Sequence, residues 1–432
     1  MPYQAIILYI LIVYNFQMVI RHKKGFFDIN VFTERKGFLS IVHEYVESSR
    51  IVQIVSDLIE RRSDSDGDME FSVALYLQEF LSSLGLEVHL QHIELKRYNV
   101  IARLAGKPGG KTLMYAGHID VVPPGNEENW VTPPFSAHVT NGKIYGRGST
   151  DMKGSIASML HTIELFVSHE VRLGGDVLLV FVVDEETTNK GMRYFLTTGV
   201  TADACIVGEP TDMQIAIGHK GVLGIWLTLH GKRAHSATPE NGINTISHAS
   251  KVIQKVESYQ ENVLRHRLCE LLGNPTMTVT MIRAGKELNS VPQQCDLRID
   301  RRLIPGETKE TCLSELETLL AELKIEVPEF SYTLKTTTFC PPWKIPEDHP
   351  VVGQLRGSIN PEEPESVPVG IMSGTCEATL IDEIGNIPVI ILGPGRLSEA
   401  HIENEFVSIE DLVAASKSYA RLIMNYLGCE LK

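Results

Sequence analysis

The stretch YAGHIDVV places His118 and Asp120 two residues apart, so on an extended segment their side chains share a face. That spacing suits a metal-bound imidazole whose other ring nitrogen donates to a carboxylate. Farther along, the apolar run DVLLVFVV ends in Asp184, Glu185 and Glu186, and IVGEPT ends in Glu209. In GRGSTDMKGSIA, Asp151 stands among Gly146, Gly148 and Gly154 just ahead of a helical pattern, and LGPGRLSEAHIENEFV carries His401 in a Gly- and Pro-rich loop. Each feature alone has an ordinary explanation, as a solvated strand end or a helix cap. Together they put imidazole and carboxylate groups at the ends of successive sheet elements, where open α/β sheets assemble their sites.

The elements that must position these groups are legible from periodicity. KTLMYAGHIDVV, DVLLVFVV and ADACIVGE are short runs rich in Val, Ile and Leu, and GSIASMLHTIELFVSH between the first two has helical spacing. Earlier, SRIVQIVSDLIERR and MEFSVALYLQEFLSSLG read as helices, and EVHLQHI and NVIARLAG alternate as strands. The alternation predicts an α/β domain with a mixed, mostly parallel sheet flanked by helices, made of residues 41–215 and 336–432. Between them the texture changes. GVLGIWLTLHGK, TMTVTMI, QCDLRIDRRLI and EFSYTLKTTTFC read as strands, with helices at NGINTISHASKVIQKVESYQ and ETKETCLSELETLLAEL. This β-α-β-β-α-β order predicts an inserted ferredoxin-like α+β domain at 216–335.

Composition narrows the function classes. The 432 residues are 43% hydrophobic and 22% charged, a globular balance with ample core material. A formal charge of −14 argues against a nucleic-acid surface, which needs clustered Lys and Arg. Seven scattered cysteines without a CxxC pair suggest neither a disulfide scaffold nor a structural zinc knuckle, and a reducing cytoplasm fits them best. The apolar stretch 5–20 followed by RHKK is short for a span, which needs roughly 20 apolar residues, and its charge order is wrong for a secretory signal. Three readings stay open for it: a membrane tether that keeps the body in the cytoplasm, a non-inserting segment, or a true start downstream near Met18. Residues 1–40 are accordingly an extension outside the fold.

From about residue 48 to the C-terminus the chain resembles the dinuclear zinc amidohydrolase and exopeptidase family of M20 type. AGHIDVVPPG, GRGSTDMKG, VVDEET, GEPT, GKRAHSATPENGINT and EAHIENEF stand in the family's order and spacing. The branch it resembles most holds acetylornithine deacetylase and succinyl-diaminopimelate desuccinylase, partly through ILGPG followed by AHIENEF. The resemblance implies a two-lobed protomer whose inserted domain forms a homodimer, and two divalent ions per subunit, zinc or in its place cobalt. It implies that His118 and Glu186 bind one ion each, that Asp151 bridges them, and that Glu209 and His401 complete the coordination. Asp120 would orient His118, and Glu185 would be the general base on the attacking water. His235 would reach a neighbouring subunit's site and stabilise the oxyanion. Asn289 and Arg302 would hold the substrate carboxylate, with Arg301 as the alternative to Arg302 by a one-residue register shift. The loop MSGTCEATL corresponds to a substrate-contacting segment in which relatives carry Asp, replaced here by Cys376 and Glu377.

The implied activity is hydrolysis of the amide bond of an N-acyl amino acid or related small molecule. A dipeptidase or carboxypeptidase of the same family is the alternative, and a metal-binding protein that keeps the fold without catalysis is a second. His219 reads as structural, and Asp184 as a loop acid with at most a supporting part.

Overall fold

The computed structural model describes residues 45–64 and 70–430, so the 5–20 stretch lies outside the described residues. Two helices lead in, α1 (Ser48–Ile59) and α2 (Glu70–Ser83), followed by strands β1 (Glu87–Glu94), β2 (Arg97–Leu104) and β3 (Thr112–His118). Next come α3 (Gly154–Ser168), β4 (Asp176–Val182), α4 (Lys190–Leu196), β5 (Ala204–Val207) and β6 (Ile215–His219). The chain then builds β7 (Gly221–His230), α5 (Thr245–Asn262), β8 (Thr276–Ala284), β9 (Gln294–Leu303), α6 (Lys309–Glu326) and β10 (Ser331–Cys340). It finishes with β11 (Trp343–Lys344), α7 (Pro350–Ile359), β12 (Val369–Met372), α8 (Ala378–Glu383), β13 (Val389–Ile391) and α9 (Ile409–Leu427).

The nearly continuous apolar runs become the interior of a nine-stranded sheet in the order β1-β2-β4-β3-β5-β13-β6-β11, with β12 beside β6. Its middle four strands, β4, β3, β5 and β13, are parallel to one another. Strands buried on both faces need no alternation, and β4 is buried from Val177 through Val182. Helices cover the sheet. In α1 the residues Ile51, Ile54, Val55, Leu58 and Ile59 form its buried stripe, and α3 is buried along most of its length. Tyr419 of α9 ties three elements together: its carbonyl accepts from Tyr115 of β3 at 2.9 Å, its hydroxyl donates to Leu392 O at 2.7 Å, and Ser155 of α3 lies 2.8 Å from that hydroxyl.

The second sheet runs β8-β9-β7-β10, antiparallel throughout. Here alternation rules, because only one face is covered: Leu223, Ile225, Leu227 and Leu229 of β7 point inward with Leu297 and Ile299 of β9. They meet Val252 and Val256 of α5 and Leu316 and Leu320 of α6, a core separate from that of the large sheet. The strand order is that of the expected ferredoxin-like insertion. The chain changes sheets between His219 and Gly221 and again after Cys340, a few residues beyond 216 and 335, because β6 pairs with β13 and β10 pairs with β7 down to Cys340. Among the described residues no helix is long and apolar enough to cross a membrane.

Candidate active site

Four parallel strands deliver the candidate donors to one edge of the sheet. His118 ends β3, Glu185 and Glu186 follow β4, Glu209 follows β5, and His401 lies in the loop after β13. This is the carboxyl edge, where an open sheet leaves a crevice. Asp151 comes from the irregular segment Ser149–Lys153 that enters α3 between Gly148 and Gly154. Gly148 has φ +85°, and a Cβ there would also lie 2.7 Å from Val121 Cγ1, so both backbone and space require glycine.

Buried ion pairs hold these loops. Glu405 accepts hydrogen bonds from the backbone N–H groups of Thr150 at 2.9 Å and Asp151 at 3.1 Å, and it pairs with Arg147; both Glu405 and Arg147 are buried. Asp184 is no solvated loop acid. It is buried, accepts from Arg97 Nη1 at 2.7 Å, the Thr187 hydroxyl at 2.6 Å, Lys190 N–H at 3.1 Å and the Thr188 hydroxyl, and so shapes the turn that carries Glu185 and Glu186. Arg97 in turn holds Glu70 of α2 through two hydrogen bonds of 2.5 Å. Lys153, also buried, donates to Leu58 O at 2.9 Å and Arg61 O at 2.8 Å, satisfying carbonyls at the end of α1.

The five expected donors converge. His118 Nε2 lies 3.0 Å from Asp151 Oδ1 and 3.5 Å from Glu209 Oε1. His401 Nε2 lies 3.2 Å from Asp151 Oδ2 and 3.2 Å from Glu186 Oε2. Asp151 thus sits between two three-residue sets, His118/Asp151/Glu209 and Asp151/Glu186/His401, each with donor atoms within 4.8 Å of one another. Asp120 departs from the expectation. His118 Nδ1 donates to the backbone carbonyl of Asp120 at 2.9 Å, while the carboxylate oxygen is 3.8 Å away. That carboxylate accepts instead from the N–H groups of Glu185 at 3.2 Å and Glu186 at 3.1 Å, because the turn after β4 brings them closer than the imidazole.

Electrostatics mark the same place. Burial works against a charge on His118, yet Asp151 and Glu209 outweigh it and hold its pKa well above the usual range. His401 is raised to about 10, first by Asp151 and then by Glu186. Burial, and then the charge of Asp151, pushes Glu209 up to about 8. Burial also raises Glu185, with Glu377 and Glu209 adding to the effect. Carboxylates crowded in this way repel, and divalent cations among them relieve both repulsion and burial; imidazole with carboxylate is a donor set that zinc accepts. The residues present therefore fit divalent metal ions.

A cavity of about 610 Å³ opens over the cluster, lined by Glu185, Glu186, Arg193 and Arg302 among others. Of the two candidate arginines, Arg302 reaches this cavity, its Nε held by Asp300 at 2.8 Å. Arg301 points the other way and is fully buried against Glu307 at 2.7 Å. His235 and Asn289 do not line the cavity. Both are exposed on the inserted domain, where Ser236 N–H donates to the Asn289 carbonyl at 3.0 Å and Ala237 N–H donates to the His235 ring at 3.1 Å. Cys376 lines the cavity, and behind it Glu377 is fully buried beside Glu185 and Glu209 with no hydrogen-bond partner for either carboxyl oxygen among the described residues. Sequence reasoning assigned no part to Glu405, Arg147, Arg97 or Glu70. Their buried partners lie 27 to 258 residues away, and the only local sign of Glu405 is an acid directly ahead of the apolar pair Phe406-Val407.

Residues 114–425 match the family described as Peptidase family M20/M25/M40. The chain is 30% identical over 377 residues to an acetylornithine deacetylase of Edwardsiella ictaluri, covering 84% of this chain and 94% of that protein. It is 26% identical over 403 residues to a probable succinyl-diaminopimelate desuccinylase of Staphylococcus epidermidis, covering 87% of this chain and 97% of the other. Its fold is similar to that of an M20-family metallo-carboxypeptidase of Sulfolobus solfataricus, with TM-score 0.74 at 23% identity, covering 87% of this chain and 99% of that one. A carboxyl-edge cluster of imidazole and carboxylate groups, on this fold and with these relatives, identifies the chain as a member of peptidase family M20/M25/M40.

Proposed function

We propose that the protein is a metal-dependent amidohydrolase that cleaves the amide bond of an N-acyl amino acid, releasing a carboxylate and a free amine. The observation that carries this reading is Asp151, whose two carboxylate oxygens face two different histidines at 3.0 and 3.2 Å. His118 and Glu209 would hold one divalent ion, Glu186 and His401 the other, and Asp151 both. Zinc is the ion this nitrogen and oxygen set favours, with cobalt as a replacement. Ions held there would polarise the scissile carbonyl and acidify the attacking water.

Glu185 is the proton carrier: its carboxylate takes a proton from the water and returns it to the leaving nitrogen as the amide bond breaks. Asp120, through the N–H groups of Glu185 and Glu186, fixes the backbone that carries both side chains. Arg302 offers its two Nη groups to the substrate carboxylate, a planar fork suited to that task. His235 and Asn289 act from a second copy of the chain, so the working enzyme is a homodimer. The seven scattered cysteines, without a CxxC pair, suit a reducing cytoplasm as the enzyme's place.

The test is hydrolysis of N-acetylornithine, N-succinyl-diaminopimelate, neutral N-acyl amino acids and dipeptides by zinc- or cobalt-loaded protein. Glu185→Gln should keep its metal and lose about 10²–10⁴-fold in turnover, whereas Glu186→Gln should lose metal. Turnover of Glu185→Gln at the parent rate would remove Glu185 from its role. Bound metal without hydrolysis of any of these compounds would leave a binding protein, and cleavage of dipeptides alone would make it a peptidase.

A further inference from the structure

We infer that the cavity takes an N-acyl amino acid bearing a second carboxylate, and that Arg193 is the residue that binds it. The inference rests on the amidohydrolase reading and deepens it. The acids lining the cavity are Asp151, Glu185, Glu186 and Glu209, all members of the donor cluster. Away from that cluster the charged side chains on the wall are Arg193 and Arg302, and the rest of the polar lining is neutral, as with Thr187, Thr338 and Ser373. A cationic amino-acid side chain would find no acid of its own there, since Glu377 is enclosed behind the wall. An anionic one finds a guanidinium.

The two arginines enter from different bodies. Arg302 stands on β9 of the second sheet, and Arg193 stands on α4, three residues past the Lys190 N–H that Asp184 holds. Met192 and Phe195 are fully buried and anchor α4, so Arg193 is turned outward onto the cavity wall. No ion pair or side-chain hydrogen bond engages its guanidinium among the described residues, whereas Arg302 already shares its Nε with Asp300. A substrate with one carboxylate on its amino-acid part and another at the end of its acyl chain, as in an N-succinyl amino acid, can meet both forks, and the 610 Å³ volume accommodates a molecule of that size.

Calorimetric binding of N-succinyl-L-alanine and N-acetyl-L-alanine to zinc-loaded Glu185→Gln protein tests this, with and without Arg193→Gln. The succinyl compound should bind at least about tenfold tighter, and Arg193→Gln should bring the two close to parity, with Arg193→Lys between. Arg193 is exposed and makes no ion pair among the described residues, so its replacement does not endanger the fold. Equal binding of the two compounds, or a preference that survives Arg193→Gln, overturns the inference. Hydrolysis by the parent protein is read separately: cleavage of neither this pair nor any N-acyl compound named above sinks the amidohydrolase reading, while the binding preference still decides the part played by Arg193.

Discussion

Replacing Glu405 by Gln should cost the protein both stability and metal. Glu405 is fully buried, its partner Arg147 is 2% exposed, and one Glu405 oxygen holds the N–H groups of Thr150 and Asp151. An amide can still accept those two hydrogen bonds, though more weakly, but it leaves the Arg147 guanidinium buried without a counter-charge. Breaking a buried pair in this way costs about 3–5 kcal/mol. The same change loosens the peptide that aims Asp151, and loss of a group that orients a metal ligand typically weakens binding roughly 10–100-fold. Guanidinium unfolding of the metal-free protein reads the first effect, and chelator competition for zinc reads the second. Stability within about 1 kcal/mol of the parent together with unchanged zinc affinity would refute the idea that Glu405 holds the Asp151 segment.

Gly208→Ala should destabilise the chain by roughly 1–3 kcal/mol, because a Cβ there would strike Ser155 Oγ and lie 2.7 Å from Met159 Cε; an unchanged denaturation midpoint would contradict this packing. His219 sets a pH dependence. Burial lowers its pKa to about 4, while its Nδ1 donates to Lys220 O at 2.9 Å. Below its unfolded value of about 6.5 the unfolded chain takes up a proton that the native imidazole refuses, so stability falls with pH across that window, by roughly 2 kcal/mol from pH 7 to pH 5. His219→Phe should remove that part of the slope in urea titrations at the two pH values, and an identical slope would show that other groups carry it.

The large sheet was legible because its strands are continuous apolar runs: DVLLVFVV could hardly be placed anywhere but in the middle of a covered sheet, and it is β4. The inserted α+β domain was legible for the opposite reason, since QCDLRIDRRLI alternates and only one face of β9 is covered. Boundaries were less so, because His219 and Gly221 are both buried and only their pairing partners tell the two sheets apart. At the site, residue types and their place after apolar runs led to His118, Asp151, Glu186, Glu209 and His401, which the fold gathers. Side-chain direction was not readable. Asp120 shares a face with His118 on an extended strand, yet the chain bends after His118 and sends the Asp120 carboxylate to the next loop. Long-range ion pairs such as Arg147–Glu405 and Arg97–Asp184 leave no periodic trace, so Asp184 passed for a surface acid.

The central claim is that Asp151 is shared between two ions. Zinc content of the purified parent and of Asp151→Asn, measured by mass spectrometry at one buffered free-zinc concentration, tests it most directly. Two ions per chain are expected in the parent and a loss of both in the variant, because each set of donors would use one Asp151 oxygen. One ion in the parent, or two retained in Asp151→Asn, would contradict it.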